Sequence, residues 1–170
     1  TENLIQQLEQ QSPEAFLLYS SSISIYGDRI DSPFIRVGDR LAPSEGDAYA
    51  LTKIKAEQII QESKLKWSIF RLTAIMGAHK MSKLMFHMPL NSPMEICTTE
   101  DAGRAFVHAI GKREFLTGKI FNLGGGRQCR TTFKEYMERS FKIMGLGECD
   151  FPSKAFAEKN FHCGYYEDGD

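Results

Sequence analysis

Short apolar runs alternate with amphipathic stretches along most of this chain, and their order predicts its architecture. Leu4, Ile5 and Leu8 recur at helical spacing over residues 2–11 before Ser12-Pro13 breaks the pattern, which predicts a helix. The continuous run Ala15-Phe16-Leu17-Leu18-Tyr19 then reads as a strand buried on both faces of a parallel sheet. Gly27 to Gly46 has no steady period and reads as a long loop. Residues 47–64 lack Gly and Pro and are rich in helix formers, and Trp67-Ser68-Ile69-Phe70-Arg71-Leu72 makes a second strand. Residues 78–97, with four Met, Pro89 and Pro93, are expected to be irregular or to form an adaptable surface. Thr98-x-x-Asp101 opens a helix whose Ala102, Ala105, Phe106, Ala109 and Ile110 share a face. Lys119 to Leu123 is a third strand followed by Gly124-Gly125-Gly126, expected to be a flexible turn. Thr132-x-x-Glu135 opens a last helix carrying Phe133, Tyr136, Met137, Phe141 and Met144 and ending at Gly145. Such alternation predicts an α/β fold with a parallel sheet.

Composition narrows the function classes. The 170 residues are 42% hydrophobic and 25% charged, ordinary values for a soluble globular protein. A net charge of −1 gives no electrostatic case for nucleic acid or an anionic membrane as partner. No apolar run reaches membrane-spanning length, and Thr1-Glu2-Asn3 does not open a signal peptide. Cys97, Cys129, Cys149 and Cys163 form no C-x-x-C pair, which predicts reduced thiols in a cytoplasmic protein. His79, His87, His108 and His162 lack metal-ligand spacing, so no metal site is expected.

Two places carry candidate chemistry. Ser20-Ser21-Ser22 ends the first strand, at the sheet edge where α/β proteins place ligands. Tyr49 and Lys53 lie four apart on the second helix, with Ala56 and Ile60 continuing their stripe, so the stripe is expected to point inward. A tyrosine hydroxyl ordinarily titrates near pH 10, and a neighbouring ammonium favours its phenolate, which suits acid/base work near neutrality. Plain structural readings compete: the hydroxyls close the strand on local backbone, Tyr49 caps a packed face, and Lys53 snorkels to water.

The segments together resemble the extended short-chain dehydrogenase/reductase superfamily, the NAD-dependent epimerase/dehydratase family. "SSxxxYG" is matched by Ser20-Ser21-Ser22-Ile23-Ser24-Ile25-Tyr26-Gly27, and "YxxSKxxxE" by Tyr49 to Lys53 with Glu57, Thr52 replacing the serine. "xxLRxxNVYG" corresponds to Ile69 through Gly77, "ifNlGxG" to Ile120 through Gly126, and "GTxNLL" to Thr1-Glu2-Asn3-Leu4-Ile5. The resemblance implies a Rossmann-like doubly wound parallel sheet and NAD or NADP as cofactor. It implies a catalytic set of Ser22, Tyr49 and Lys53, with Tyr49 as general acid/base, Lys53 on the nicotinamide ribose and Ser22 holding the substrate oxygen. Ser20 and Ser21 would shape the cofactor-side wall, and backbone at Thr73, Ala74 and Ile75 would lie near the nicotinamide. Residues 1–77 would be the second half of the cofactor domain, and 78–170 a substrate-binding region interleaved with the strand near 119–123. The expected function is an epimerase, dehydratase or reductase acting on a sugar, nucleotide sugar or related hydroxyl or carbonyl compound. The alternative is a non-catalytic NAD(P)-binding redox sensor or regulatory protein of the same fold.

Departures from the family pattern qualify these expectations. No G-x-x-G-x-x-G turn occurs in the 170 residues. The chain is therefore expected to start inside the helix before the serine strand, to bind dinucleotide weakly by itself, and to form a homo-oligomer or pack against the missing N-terminal half through an uncovered sheet edge. Where nucleotide-sugar enzymes carry an Arg-Asp-Tyr-Ile-His-like run, Met94-Glu95-Ile96-Cys97-Thr98 stands instead. Either another base such as Arg127 meets a substrate phosphate, or the substrate has no diphosphate.

Overall fold

The three apolar runs pair side by side, as alternation with helices requires. The computed structural model describes residues 1–77, 82–159 and 161–169, so the expectation of irregular structure at residues 78–81 lies outside the described residues. In chain order the elements are α1 (Glu2–Gln11), β1 (Phe16–Ser22), β2 (Phe34–Ile35), α2 (Ala48–Glu62), β3 (Lys66–Leu72), β4 (Ala74–Met76), β5 (Pro93–Thr98), α3 (Thr99–Ile110), α4 (Arg113–Leu116), β6 (Lys119–Leu123), β7 (Arg130–Thr132), α5 (Phe133–Ile143) and β8 (Tyr165–Tyr166), with short 3₁₀ turns between some of them. The main sheet has the order β1-β3-β6, all parallel, with Tyr19 opposite Ile69, Ser22 opposite Leu72 and Arg71 opposite Asn122.

Adjacent residues of a strand face opposite sides of the sheet, and here that rule separates two cores. Ile69 packs with Ile5, Ile60 and Leu65 beneath α1 and α2. Its neighbour Phe70 packs with Ala109 and Leu116 beneath α3 and α4. The sequence expectation for β1 needs correction: its residues are mostly half-buried, because β1 pairs only with β3 and its other edge meets no described strand. β3, with a neighbour on each side, is the strand buried on both faces.

Helix starts fall where the sequence places them. Asp47 Oδ1 accepts the Ala50 N–H at 2.9 Å and fixes the first turn of α2, while Thr132 and Glu135 complete a capping box on α5. Two of the helical stripes end early: Ile110 and Met144, assigned to buried faces, are exposed. Each sits at the end of its helix, beyond the elements that cover the preceding turns.

Two stretches expected to be irregular carry strands instead: residues 93–97 lie in β5, and Phe34–Ile35 forms β2 inside the otherwise irregular Gly27–Gly46 loop. A second sheet joins β4 in parallel to β5 and β5 antiparallel to β7, and a two-stranded pair joins β2 to β8. This second layer packs on a methionine- and phenylalanine-rich cluster of Met88, Met94, Phe133, Met137, Phe141 and Phe156. Nor is the glycine run after β6 merely flexible. A Cβ on Gly124 would overlap the Glu95 carboxylate, and one on Gly125 would overlap the Ile96 carbonyl, so both glycines serve close approach of the two sheets. Gly124→Ala is expected to destabilise the fold by about 1–3 kcal/mol, read as a lower denaturation midpoint, because the displaced carboxylate is fully buried.

Candidate active site

Beyond Ser22 the chain leaves the main sheet through a 3₁₀ turn, Ile23–Tyr26, whose start is capped by the Ser22 hydroxyl accepting the Ser24 N–H at 3.2 Å. Beyond Leu72 it passes through Thr73 into β4. These two exits, with the first turn of α2, enclose a cavity of about 340 Å³ at the C-terminal ends of β1 and β3. Its wall includes Ser22, Tyr49, Thr73, Ala74 and Ile75. The position is where open parallel sheets place ligands.

Tyr49 is 54% exposed, a correction to the inward-facing stripe. Ala56 and Ile60 of the same stripe are buried, but at the first turn of α2 that face meets the cavity instead of packed side chains. Lys53 approaches from one turn further on: its ammonium lies 5.5 Å from the Tyr49 ring centroid and 4.9 Å from that of Tyr19, and donates to the Ser20 carbonyl at 2.8 Å. The three serines thus divide their work. Ser22 reaches the cavity, Ser20 anchors Lys53 through its carbonyl, and Ser21 is buried away from the lining. Arg127 stands exposed on a 3₁₀ turn, Arg127–Cys129, and is not part of the cavity wall.

Several wall residues have no sequence signal. Phe161, His162, Cys163 and Gly164 arrive from the far end of the chain because Gly164 bridges to Met94 and the Cys163 N–H donates to the Gly27 carbonyl at 3.3 Å. Glu95 is fully buried in the wall, and its carboxylate accepts from Gly126 N at 3.1 Å, Tyr166 N at 3.0 Å and Arg130 Nε at 3.1 Å. The Glu95 side chain is therefore structural, its oxygens satisfied by the protein.

Burial pushes the Cys163 thiol up to about 12, and burial also raises Cys97 and Cys149. Cys129 alone among the four cysteines is exposed, so a maleimide at neutral pH is expected to label Cys129 first and to leave Cys163 intact, as peptide mass mapping would show. His162 lies with Nδ1 3.7 Å from Asp47 Oδ2, and its burial outweighs that carboxylate, holding the imidazole below its ordinary 6.5. The folded state thus resists a proton that the unfolded chain accepts, so stability is full above about pH 6.5 and declines as the pH falls below it. Replacing His162 by Gln should flatten that acid limb in pH-dependent denaturation; an unchanged limb would assign it to other groups.

Motif residues outside the cavity meet in one buried network. Arg71 donates to both carboxylate oxygens of Glu57, at 3.1 and 2.7 Å, and from Nη1 to the Tyr26 hydroxyl at 2.6 Å and the Val37 carbonyl at 2.9 Å. The Tyr26 hydroxyl donates to Asn122 Oδ1 at 2.9 Å, and Asn122 Nδ2 donates to Asp168 at 2.9 Å. Burial raises Tyr26 above its ordinary value despite the guanidinium beside it. Tyr26, Glu57, Arg71 and Asn122 come from four separate motifs, so these motifs brace the sheet ends as well as frame the cavity.

Among the described residues no helix is long and apolar enough to cross a membrane, and no group of three metal-ligating side chains occurs. No curated protein matches the chain significantly. Among solved structures, the chain is similar to MoeE5 in complex with UDP-glucuronic acid and NAD, at 17% identity and TM-score 0.75 over 97% of this chain and 58% of that one. It is similar to UDP-glucuronic acid 4-epimerase from Bacillus cereus, in complex with UDP-glucuronic acid and NAD, at 15% identity and TM-score 0.76 over 99% of this chain and 56% of that one. It is also similar to a double mutant of DesIV, the dTDP-glucose 4,6-dehydratase of Streptomyces venezuelae, at 21% identity and TM-score 0.67 over 85% and 48%. The chain spans about half the length of these proteins, and the likeness establishes a partial Rossmann-like fold. Residues 1–124, which hold β1, α2, β3 and β6 and every residue of the Ser-Tyr-Lys set, match the model of the NAD dependent epimerase/dehydratase family, and the chain belongs to that family.

Proposed function

We propose that the protein is an NAD-dependent epimerase, dehydratase or oxidoreductase that acts at a hydroxyl or carbonyl carbon of a sugar, nucleotide sugar or related small molecule. One juxtaposition supports this reading: Ser22, Tyr49 and the Thr73–Ile75 segment share a cavity, with the Lys53 ammonium beside the tyrosine ring. Family membership supports the general class of chemistry, and the relatives' NAD favours that cofactor over NADP.

The residues fit the nicotinamide-ribose end of such a cofactor. An ammonium has three donors, and one of those on Lys53 goes to Ser20, so ribose hydroxyls can take others. Ala74 and Ile75 offer an apolar wall for a planar ring. A bound NAD would supply the hydride acceptor and donor for a substrate carbon. The chain's own part is proton work. Ser22 holds the substrate oxygen by hydrogen bonding, Tyr49 takes or gives the hydroxyl proton, and Lys53 holds the ribose from its place beside the tyrosine ring.

Titration of the intact protein with NAD tests the lysine's double role. Lys53→Met is expected to weaken NAD binding about tenfold or more, as the loss of a charged hydrogen bond implies. It should also lower turnover. Unaltered NAD affinity would remove Lys53 from the ribose contact.

A further inference from the structure

We propose that the substrate carries its reacting hydroxyl or carbonyl on an apolar aryl or acyl arm, and that a methionine-lined compartment next to the reaction cavity holds that arm. The proposal rests on the reading of the reaction cavity given above and names the class of substrate it takes. A second cavity, of about 430 Å³, lies between β4, the 3₁₀ turn Lys83–Phe86 and α5. Leu84, Met85, Phe133, Tyr136 and Met137 line it, and it borders the reaction cavity along Ala74, Ile75, Met76, Met88 and Phe161, the boundary past which the arm of a substrate held at Ser22 and Tyr49 would reach it.

The chemistry of these walls is selective. Thioethers and aromatic rings adapt to apolar groups of varied shape, and small-molecule sites are built largely of such surface with few polar anchors. Among the described residues, the lining of the second cavity includes no Lys, Arg, Asp or Glu. In the reaction cavity the carboxylate of Glu95 is consumed by Arg130, Gly126 and Tyr166. A diphosphate set against such a surface would lose its water without gaining the charged hydrogen bonds that normally replace it. An apolar arm loses nothing of the kind, and its polar end is left to Ser22 and Tyr49.

Calorimetric titration of the intact protein, with and without NAD, tests this using two probes: benzylacetone, a methyl ketone on a phenethyl arm, and UDP-glucose. Benzylacetone is expected to bind at least about tenfold tighter than UDP-glucose. Leu84→Glu, at a site 70% exposed and so tolerant of charge, and Met85→Lys should each weaken benzylacetone about tenfold while leaving NAD affinity within about twofold. UDP-glucose binding as tightly as benzylacetone, no benzylacetone binding, or binding indifferent to both substitutions would overturn the apolar-arm assignment. Turnover is not read, so a failure here is distinct from a failure of the proton chemistry, which Tyr49→Phe reports.

Discussion

Replacing Tyr49 by phenylalanine is expected to cut turnover by roughly 10²–10⁴ while NAD affinity stays within a fewfold, because the substitution removes only the atom that moves the proton. Loss of folding will not mimic this result. Tyr49 is 54% exposed on the first turn of α2, and exposed substitutions of this kind usually change stability by no more than about 0.5 kcal/mol. The ring, and with it the surface facing the Lys53 ammonium, is retained. Steady-state rates with denaturation curves on the same preparation separate the two effects. Turnover within a fewfold of the parent would take Tyr49 out of the mechanism and favour a binding or sensing role for the cavity.

The largest stability effect is expected at Arg71. Its side chain and that of Glu57 are 5% and 2% exposed, and the pair is bidentate. Removing one partner strands a buried charge, which costs about 3–5 kcal/mol, a large share of the roughly 5–15 kcal/mol that holds a typical protein folded. Arg71→Met should therefore approach loss of the folded state, since it also takes donors from the Tyr26 hydroxyl and the Val37 carbonyl. Arg71→Met combined with Glu57→Leu should be milder than the sum of the two single changes, because neither charge is then left alone. Denaturant midpoints for the four proteins check this; a loss below about 1 kcal/mol for Arg71→Met would mean that water replaces the guanidinium and the network is not closed.

What was legible in the sequence was whatever is local. β1, β3 and β6 are short, largely apolar runs between helical stretches, α2 is a stretch of helix formers without Gly or Pro, and Tyr49 and Lys53 sit one turn apart, so periodicity alone brings them to one face. The second sheet was not legible because its strands are short and keep polar groups buried through distant partners. β5 carries Glu95, which looks like a solvent-facing residue until Gly126, Arg130 and Tyr166 are seen to satisfy it from 31, 35 and 71 residues away. His162 and Cys163 reach the cavity only because Gly164 meets Met94, a contact that leaves no spacing to read. The serines were partly legible. Their place at the strand end follows from the apolar run before them, but their division into a cavity hydroxyl, a carbonyl anchor and a buried neighbour depends on where Lys53 reaches.

The central claim is that the cavity between β1, β3 and α2 is where cofactor and substrate meet. A crystal structure of the intact protein grown with NAD tests it most directly. The nicotinamide should lie against Thr73–Ile75, the ribose hydroxyls should accept hydrogen bonds from Lys53, and the Tyr49 hydroxyl should face the hydride-bearing carbon across the space next to Ser22. A nicotinamide bound elsewhere, with Ser22 and Tyr49 out of its reach, would contradict the account.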